Sequence, residues 1–225
     1  VVNGPTQLTT GATDYFYYGQ SIAKDGRKFT YDCDKGDSNS FDVFLKKFKP
    51  NGAVGPATVS IAATGASEMD TMITDDGQGV YYSSASSGTY AILFQKLKAR
   101  GRPSGTPITA VTYPGDYVGF PRVDADREWM SYIRDNDIWV TRLAATGAAT
   151  GTPVKATSVA AGYHAFGGLT RDARLLVYTV WGGPYPHVHT LYSQRLDASG
   201  NPTGAPVILI PTSTNMVSPW NVAYW

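Results

Sequence analysis

The sequence predicts an all-β protein built from repeats of one four-stranded unit, and three observations predict it. First, the segment from Asp137 to Pro153, D-I-W-V-T-R-L-A-A-T-G-A-A-T-G-T-P, recurs from Asp42, Ala91 and Thr190. Three of the four copies share L-x-x-x-G-x-x-x-G-x-P, and the copy from Asp42 is one residue shorter. Second, a hairpin-like element precedes each copy. Third, the units follow one another at a nearly constant spacing.

Within the first segment, Ile138 and Val140 alternate with Trp139 and Thr141 at the period of two that a pleated strand requires. That strand stops at Gly147 and Gly151. The preceding element reads I-A-K-D-G-R-K-F-T-Y to Tyr31, T-D-D-G-Q-G-V-Y-Y to Tyr82, V-D-A-D-R-E-W-M-S-Y to Tyr132 and L-T-R-D-A-R-L-L-V-Y to Tyr178. Each is a strand entering a tight turn at Asp25-Gly26, Asp76-Gly77, Asp126-Arg127 or Asp172-Ala173, then a strand running to the tyrosine. A fifth copy, V-S-P-W-N-V-A-Y-W, begins at Val217.

Aligned on the turn, the units begin at 25, 76, 126, 172 and 218, steps of 51, 50, 46 and 46. Periods of roughly 40 to 50 residues with four strands per unit are the signature of β-propeller blades. Strand A enters the turn, strand B leaves it, strand C is the D-I-W-V segment, and strand D follows the Gly-x-Pro at Pro56, Pro107, Pro153 and Pro206. The blades are then residues 13–61, 66–112, 116–158 and 163–210, with a fifth from 213–225 and 1–10. Asn3-Gly4-Pro5 and the residues after it match strand D, and Val217 to Trp225 match strands A and B, so the two ends close one five-bladed domain. Strand C of that blade has no counterpart. This leaves open a three-stranded last blade, residues missing before Val1, and a fragment of a six- or seven-bladed ring.

Composition agrees with this architecture. Of 225 residues only 16% are charged, while Gly (24), Tyr (15) and Pro (14) are plentiful, which favours short strands joined by tight turns. The net charge of +1 comes from scattered Lys and Arg with no basic stripe, which argues against nucleic acid. The single cysteine, Cys33, excludes an intrachain disulfide and a cysteine zinc cluster. No apolar run approaches the ~20 residues needed to span a bilayer. The low charge and the richness in Thr, Ser, Gly and Tyr suit a secreted or periplasmic protein.

S-I-A-K-D-G-R-K-F-T-Y followed by D-V-F-L resembles the TolB-type propeller repeat, in which a Ser-Pro-Asp-Gly-like turn precedes an apolar strand ending in an aromatic residue. The resemblance covers nearly the whole chain and departs at Asp126-Arg127 and Asp172-Ala173, where the turn glycine is replaced. It implies a propeller of the kind usual in exported bacterial proteins, and it transfers no catalytic residue, because this repeat serves many functions. In blade number alone the chain is also similar to the five-bladed tachylectin-type lectins.

Alternating strand direction sends the A–B and C–D turns to one face and the B–C and D–A connections to the other. The first set is stereotyped and serves the fold; the second varies and is where a ligand is expected. Its aromatic residues Tyr15, Tyr17, Tyr113, Tyr117, Tyr163, Trp181 and Tyr185 are the candidate contacts for carbohydrate or a protein partner. Trp129, Trp139, Tyr132 and Tyr178 follow the strand alternation and belong between blades.

Metal-ligating types occur on the same face. His164, His187 and His189 could share zinc, His187 and His189 being spaced to point the same way from a strand. Asp32, Asp34 and Asp37, in an acidic loop from Asp32 to Ser40, offer oxygen ligands of the kind calcium takes. Plain solvated loops explain both groups as well. Asp14, Glu68, Asp70 and Asp116 precede the A strands near the mouth of the axial channel, and a propeller glycosidase would draw its carboxylate pair from Asp14, Glu68 and Asp116. Glu128, the other glutamate, lies at a turn on the stereotyped face. No nucleophile elbow, phosphate loop or H-E-x-x-H occurs. The expectation is therefore a non-catalytic recognition module, with a glycosidase or a structural subunit of a larger assembly as alternatives.

Overall fold

The computed structural model describes residues 17–34, 40–157, 163–182 and 188–213. Every regular element among them is a strand, and the sixteen strands form four antiparallel four-stranded sheets, each a meander in chain order. Blade 1 contains β1 (Tyr17–Ile22), β2 (Lys28–Asp34), β3 (Phe41–Lys47) and β4 (Val59–Ala62). Blade 2 contains β5 (Ser67–Ile73), β6 (Gly79–Ser86), β7 (Thr89–Lys96) and β8 (Ile108–Pro114). Blade 3 contains β9 (Val118–Val123), β10 (Trp129–Arg134), β11 (Asp137–Leu143) and β12 (Ala149–Lys155). Blade 4 contains β13 (Tyr163–Leu169), β14 (Leu175–Gly182), β15 (Val188–Leu196) and β16 (Pro202–Ser213). The first strands of successive blades, β1, β5, β9 and β13, lie side by side, which sets the blades around a common axis.

Each junction between blades is one hydrophobic cluster. Ile61 and Ala62 of blade 1 pack with Val80 and Tyr82 of blade 2. Ala110 and Val111 of blade 2 pack with Met130 and Tyr132 of blade 3. Ala156 packs with Leu176 and Tyr178 at the third junction. The repeated tyrosine of strand B is thus an inter-blade residue, almost fully buried at positions 82, 132 and 178. Burying such a side chain stabilises by about 1.5–3 kcal/mol, so these clusters carry most of the cohesion.

The repeated glycines have two different jobs. Gly101, Gly147 and Gly200 lie in the C–D turns at φ of 73°, 94° and 84°. A Cβ there would meet Leu45 at 3.1 Å, overlap the Phe94 ring, or come within 2.8 Å of Trp129, in each case a side chain of the preceding blade. The second glycine of the motif is different. Gly151 and Gly204 sit inside β12 and β16, where the register with β11 and β15 shifts. Strand D therefore starts at Ala149 and Pro202, before the Gly-x-Pro, and the second glycine is a bulge within it rather than a turn. In blade 4 a buried glutamine holds this bulge, and in blade 2 its counterpart holds the segment just before β8. Gln95 Nε2 donates to the carbonyls of Lys96, Ser104 and Gly105, and Gln194 Nε2 to those of Arg195, Thr203 and Gly204.

One further expectation is corrected. Strand B runs two to four residues beyond the tyrosine in every blade, to Asp34, Ser86, Arg134 and Gly182. Arg127 and Ala173 occupy the left-handed turn position that Gly26 and Gly77 fill in blades 1 and 2, at φ of 58° and 53°. The turn survives loss of its glycine because the flanking polar side chains still close it. In blade 4, Thr170 Oγ1 accepts from Leu175 N and Asp172 Oδ1 from Arg174 N; in blade 3, Asp124 Oδ1 accepts from both Glu128 N and Trp129 N.

Candidate functional site

On the variable face, the D–A connection after β8 and the B–C turn after β10 meet at the end of blade 3. Asp135 and Asn136 form that turn with φ of 46° and 69°, a two-residue hairpin connection of the type that matches sheet twist. It ends β10 at Arg134. The Arg134 Nε and Nη2 donate to Asp116 Oδ2 at 2.9 and 2.6 Å. Its guanidinium carbon lies 3.9 Å from the centroid of Tyr113 and 4.9 Å from that of Trp139. Tyr113 is fixed in turn by a 3.0 Å hydrogen bond between its hydroxyl and that of Tyr132. The result is a half-exposed platform in which a cation is clasped by one carboxylate and two rings.

Nearer the axis, Tyr117 donates to Asp70 Oδ2 at 3.0 Å and meets Tyr90 edge-on. Asp70 Oδ2 also accepts from Ser83 Oγ at 2.9 Å and Phe120 N at 3.3 Å. Asp70 and Phe120 occupy equivalent bulge positions of β5 and β9, with φ of 56° and 52°. A bulge leaves its amide without a ladder partner. The Asp70 amide donates to Asp32 Oδ2 at 2.6 Å, so carboxylates of blades 1 and 2 receive the bulge amides of blades 2 and 3. Burial pushes the Asp70 carboxyl above the usual carboxylate range, against the pull of its three donors.

Several expected positions change in this light. Asp32 and Asp34 are not in an acidic loop: both lie in β2, paired opposite Val43 and Phe41, and are 0% and 4% exposed. Their hairpin is longer than the turn-forming composition suggested, because Asp alternates with Tyr31 and Cys33 along a strand whose two faces are both covered. Glu68 and Asp70 lie within β5 rather than before it, and both are buried. Thr64 donates to Glu68 through both its amide and its hydroxyl, while burial raises the carboxyl pKa. Among the described members of that set, only Asp116 remains in a connection between blades, and Arg134 holds it. Among the described residues, no three His, Cys, Asp or Glu side chains are grouped to hold a metal ion.

Of the candidate aromatic contacts, the structure brings Tyr113 and Tyr117 to this face with defined partners. Tyr17, Tyr163 and Trp181 lie in β1, β13 and β14, and His164 and His189 in β13 and β15. Tyr15, Tyr185, His187, Asp37 and Asp14 lie outside the described residues. Arg134 was missed by sequence reasoning. The signal was present in I-R-D-N-D, an arginine directly before an Asp-Asn turn, but its pairing with Asp116 spans 18 residues and needs the sheet to form.

The sheets, their meander order and the axial arrangement of first strands define a β-propeller. No protein-family model and no curated protein matches the sequence. Solved structures do match. TolB from Acinetobacter baumannii superposes with a TM-score of 0.60 at 15% identity, over 87% of this chain and 43% of that one. A puromycin-hydrolyzing peptidase of Mycobacterium tuberculosis gives 0.55 at 13% identity, over 84% and 30%. The β-propeller domain of the Trilobed protease from Pyrococcus furiosus gives 0.52 at 11% identity, over 88% and 58%. The fold is therefore a propeller of the TolB type, and the chain spans less than two thirds of the length of each of these structures. Among the described residues, no helix is long and apolar enough to cross a membrane.

Proposed function

We propose that this chain is a non-catalytic recognition module of an exported bacterial protein that binds a protein partner through its variable face. The observation that carries this reading is the platform of Tyr113, Asp116, Arg134 and Trp139. Arginine and aromatic residues dominate the energetics of protein interfaces, and here they stand preassembled, so little side-chain entropy is lost on binding. Of the carboxylates expected of a glycosidase, the two that lie among the described residues are occupied, Glu68 by Thr64 and Asp116 by Arg134.

The same reading takes the ring as five-bladed and closed by residues 213–225 with 1–10. In blades 1 to 3 the strand-D pairs Ile61-Ala62, Ala110-Val111 and Ala156-Thr157 are buried, whereas the equivalent Leu209 and Ile210 are 49% and 40% exposed. Val222 and Tyr224 stand at the sequence positions of Met130 and Tyr132, which cover such a pair at the second junction.

A photoreactive amino acid at Tyr113, compared with one at Ser199 on the opposite face, tests the function in whole cells. A discrete crosslinked polypeptide from the first position alone is expected. Selective binding on a glycan array, abolished by Tyr117→Ala, would replace the protein partner with carbohydrate. For closure, a cysteine at Ile210 in a Cys33→Ser background should label slowly, and faster when Tyr224→Asp is added.

A further inference from the structure

A cavity of about 410 Å³ opens on the stereotyped face between blades 2 and 3. Tyr81 and Phe94 floor it, the turn segment from Leu143 to Gly147 walls it, and Asp126, Arg127, Glu128, Arg142 and Thr150 form its lip. It lies away from the platform of the variable face and owes nothing to the function proposed there.

Its origin can be read residue by residue. The third residue after the turn aspartate begins strand B and faces the next blade. In blade 1 this is Lys28, whose Nζ crosses the junction and donates to the Gly77 carbonyl of blade 2 at 2.7 Å. In blade 3 it is Trp129, whose ring lies against Gly200 of blade 4. In blade 2 it is Gly79, which has no side chain to reach blade 3. The Phe94 ring leans over Gly79, so that a Cβ there would overlap it, and the space above stays open.

We propose that this cavity binds a primary alkylammonium group, in the place that Lys28 takes at the preceding junction. The carbonyl that would receive it belongs to Arg127, which sits at the turn position of Gly77 with nearly the same backbone twist, φ 58° against 62°. The floor is aromatic, as suits a cation. The two basic groups at the lip are engaged elsewhere. Arg127 Nη1 lies 3.6 Å from Asp76 Oδ2, and Arg142 donates to the Ala198 carbonyl at 3.0 Å while its guanidinium lies over Trp129. Asp126 lies 3.7 Å from Arg171. Glu128 makes no ion pair among the described residues and is exposed at the lip, which leaves it to meet an incoming ammonium.

Titration of the 15N-labelled full chain tests this with 1,5-diaminopentane and Nα-acetyl-lysine amide as probes, and acetate as the opposing one because two arginines share the lip. The expected result is shifts confined to the amides of Phe94, Glu128, Ala145, Gly147 and Thr150, with affinity reduced about tenfold by Glu128→Gln and abolished by Ala145→Trp, which fills the mouth. Binding of the diamine alone would make the natural ligand a small amine, and binding of the lysine amide alone a side chain of a partner. If neither amine shifts these signals, if acetate does so in their place, or if Glu128→Gln binds as well as the parent, the proposal is overturned. Glu128 is exposed, so that variant reports on the site even if Ala145→Trp does not fold.

Discussion

The two glycines of one motif should respond very differently to the same substitution. Gly147 and Gly151 both have positive φ, 94° and 72°, so alanine at either incurs the left-handed penalty of about 1–2 kcal/mol. Around Gly151 a Cβ meets nothing within 4 Å, whereas at Gly147 it would come within 2.6 Å of Phe94 Cγ. Overpacking of that kind costs about 1–3 kcal/mol more, since the Phe94 ring is itself held against Tyr81 at 4.6 Å. Gly147→Ala should therefore lose about 2–5 kcal/mol and Gly151→Ala about 1–2. In urea, with a slope near 3 kcal/mol per molar, the two midpoints separate by about 0.3–1 M. Adding Phe94→Leu should recover part of the loss at Gly147 and none at Gly151. Equal midpoints for the two alanine variants, or no coupling to Phe94, would refute the assignment of the first glycine to blade docking and of the second to a bulge.

Other outcomes follow from the same geometry. Ser87 and Gly88 form the two-residue B–C turn of blade 2 with φ of 48° and 78°, so Ser87→Asn, which prefers that turn, should raise stability by about 0.5 kcal/mol in thermal denaturation. Arg134→Lys keeps the charge but loses the fork to Asp116 and the stacking on Tyr113 and Trp139; a loss of about 1 kcal/mol and altered Trp fluorescence are expected. Asp70 holds its proton to higher pH when folded than its ordinary value of 3.8, so its contribution to stability is greatest below 3.8 and falls as pH rises through the folded value. Asp32, Arg122 and Tyr117 share its surroundings, and Asp70→Asn removes only its own share. Urea titrations from acid to neutral pH should then show the parent losing ground relative to Asp70→Asn over that window, and parallel curves would refute the burial argument.

The sequence by itself determined the repeat and the strand content, because each rests on local pattern: strand alternation, a turn aspartate, a glycine at positive φ. It also placed Tyr132 and Tyr178 between blades, since period-two patterning assigns a face whatever the partner. Only the tertiary structure decided what that face meets. The distinction between Gly147 and Gly151 depends on Phe94 arriving from another blade, and one letter of sequence is the same in both places. Asp32 and Asp70 read as loop or mouth carboxylates because charged residues are usually solvated, yet they accept bulge amides across two junctions. Arg134 came to matter only when the sheet brought Asp116, Tyr113 and Trp139 around it. Local chemistry fixes how each blade is made, and the packing of one blade on the next decides which of its polar groups are structural and which are left to meet a ligand.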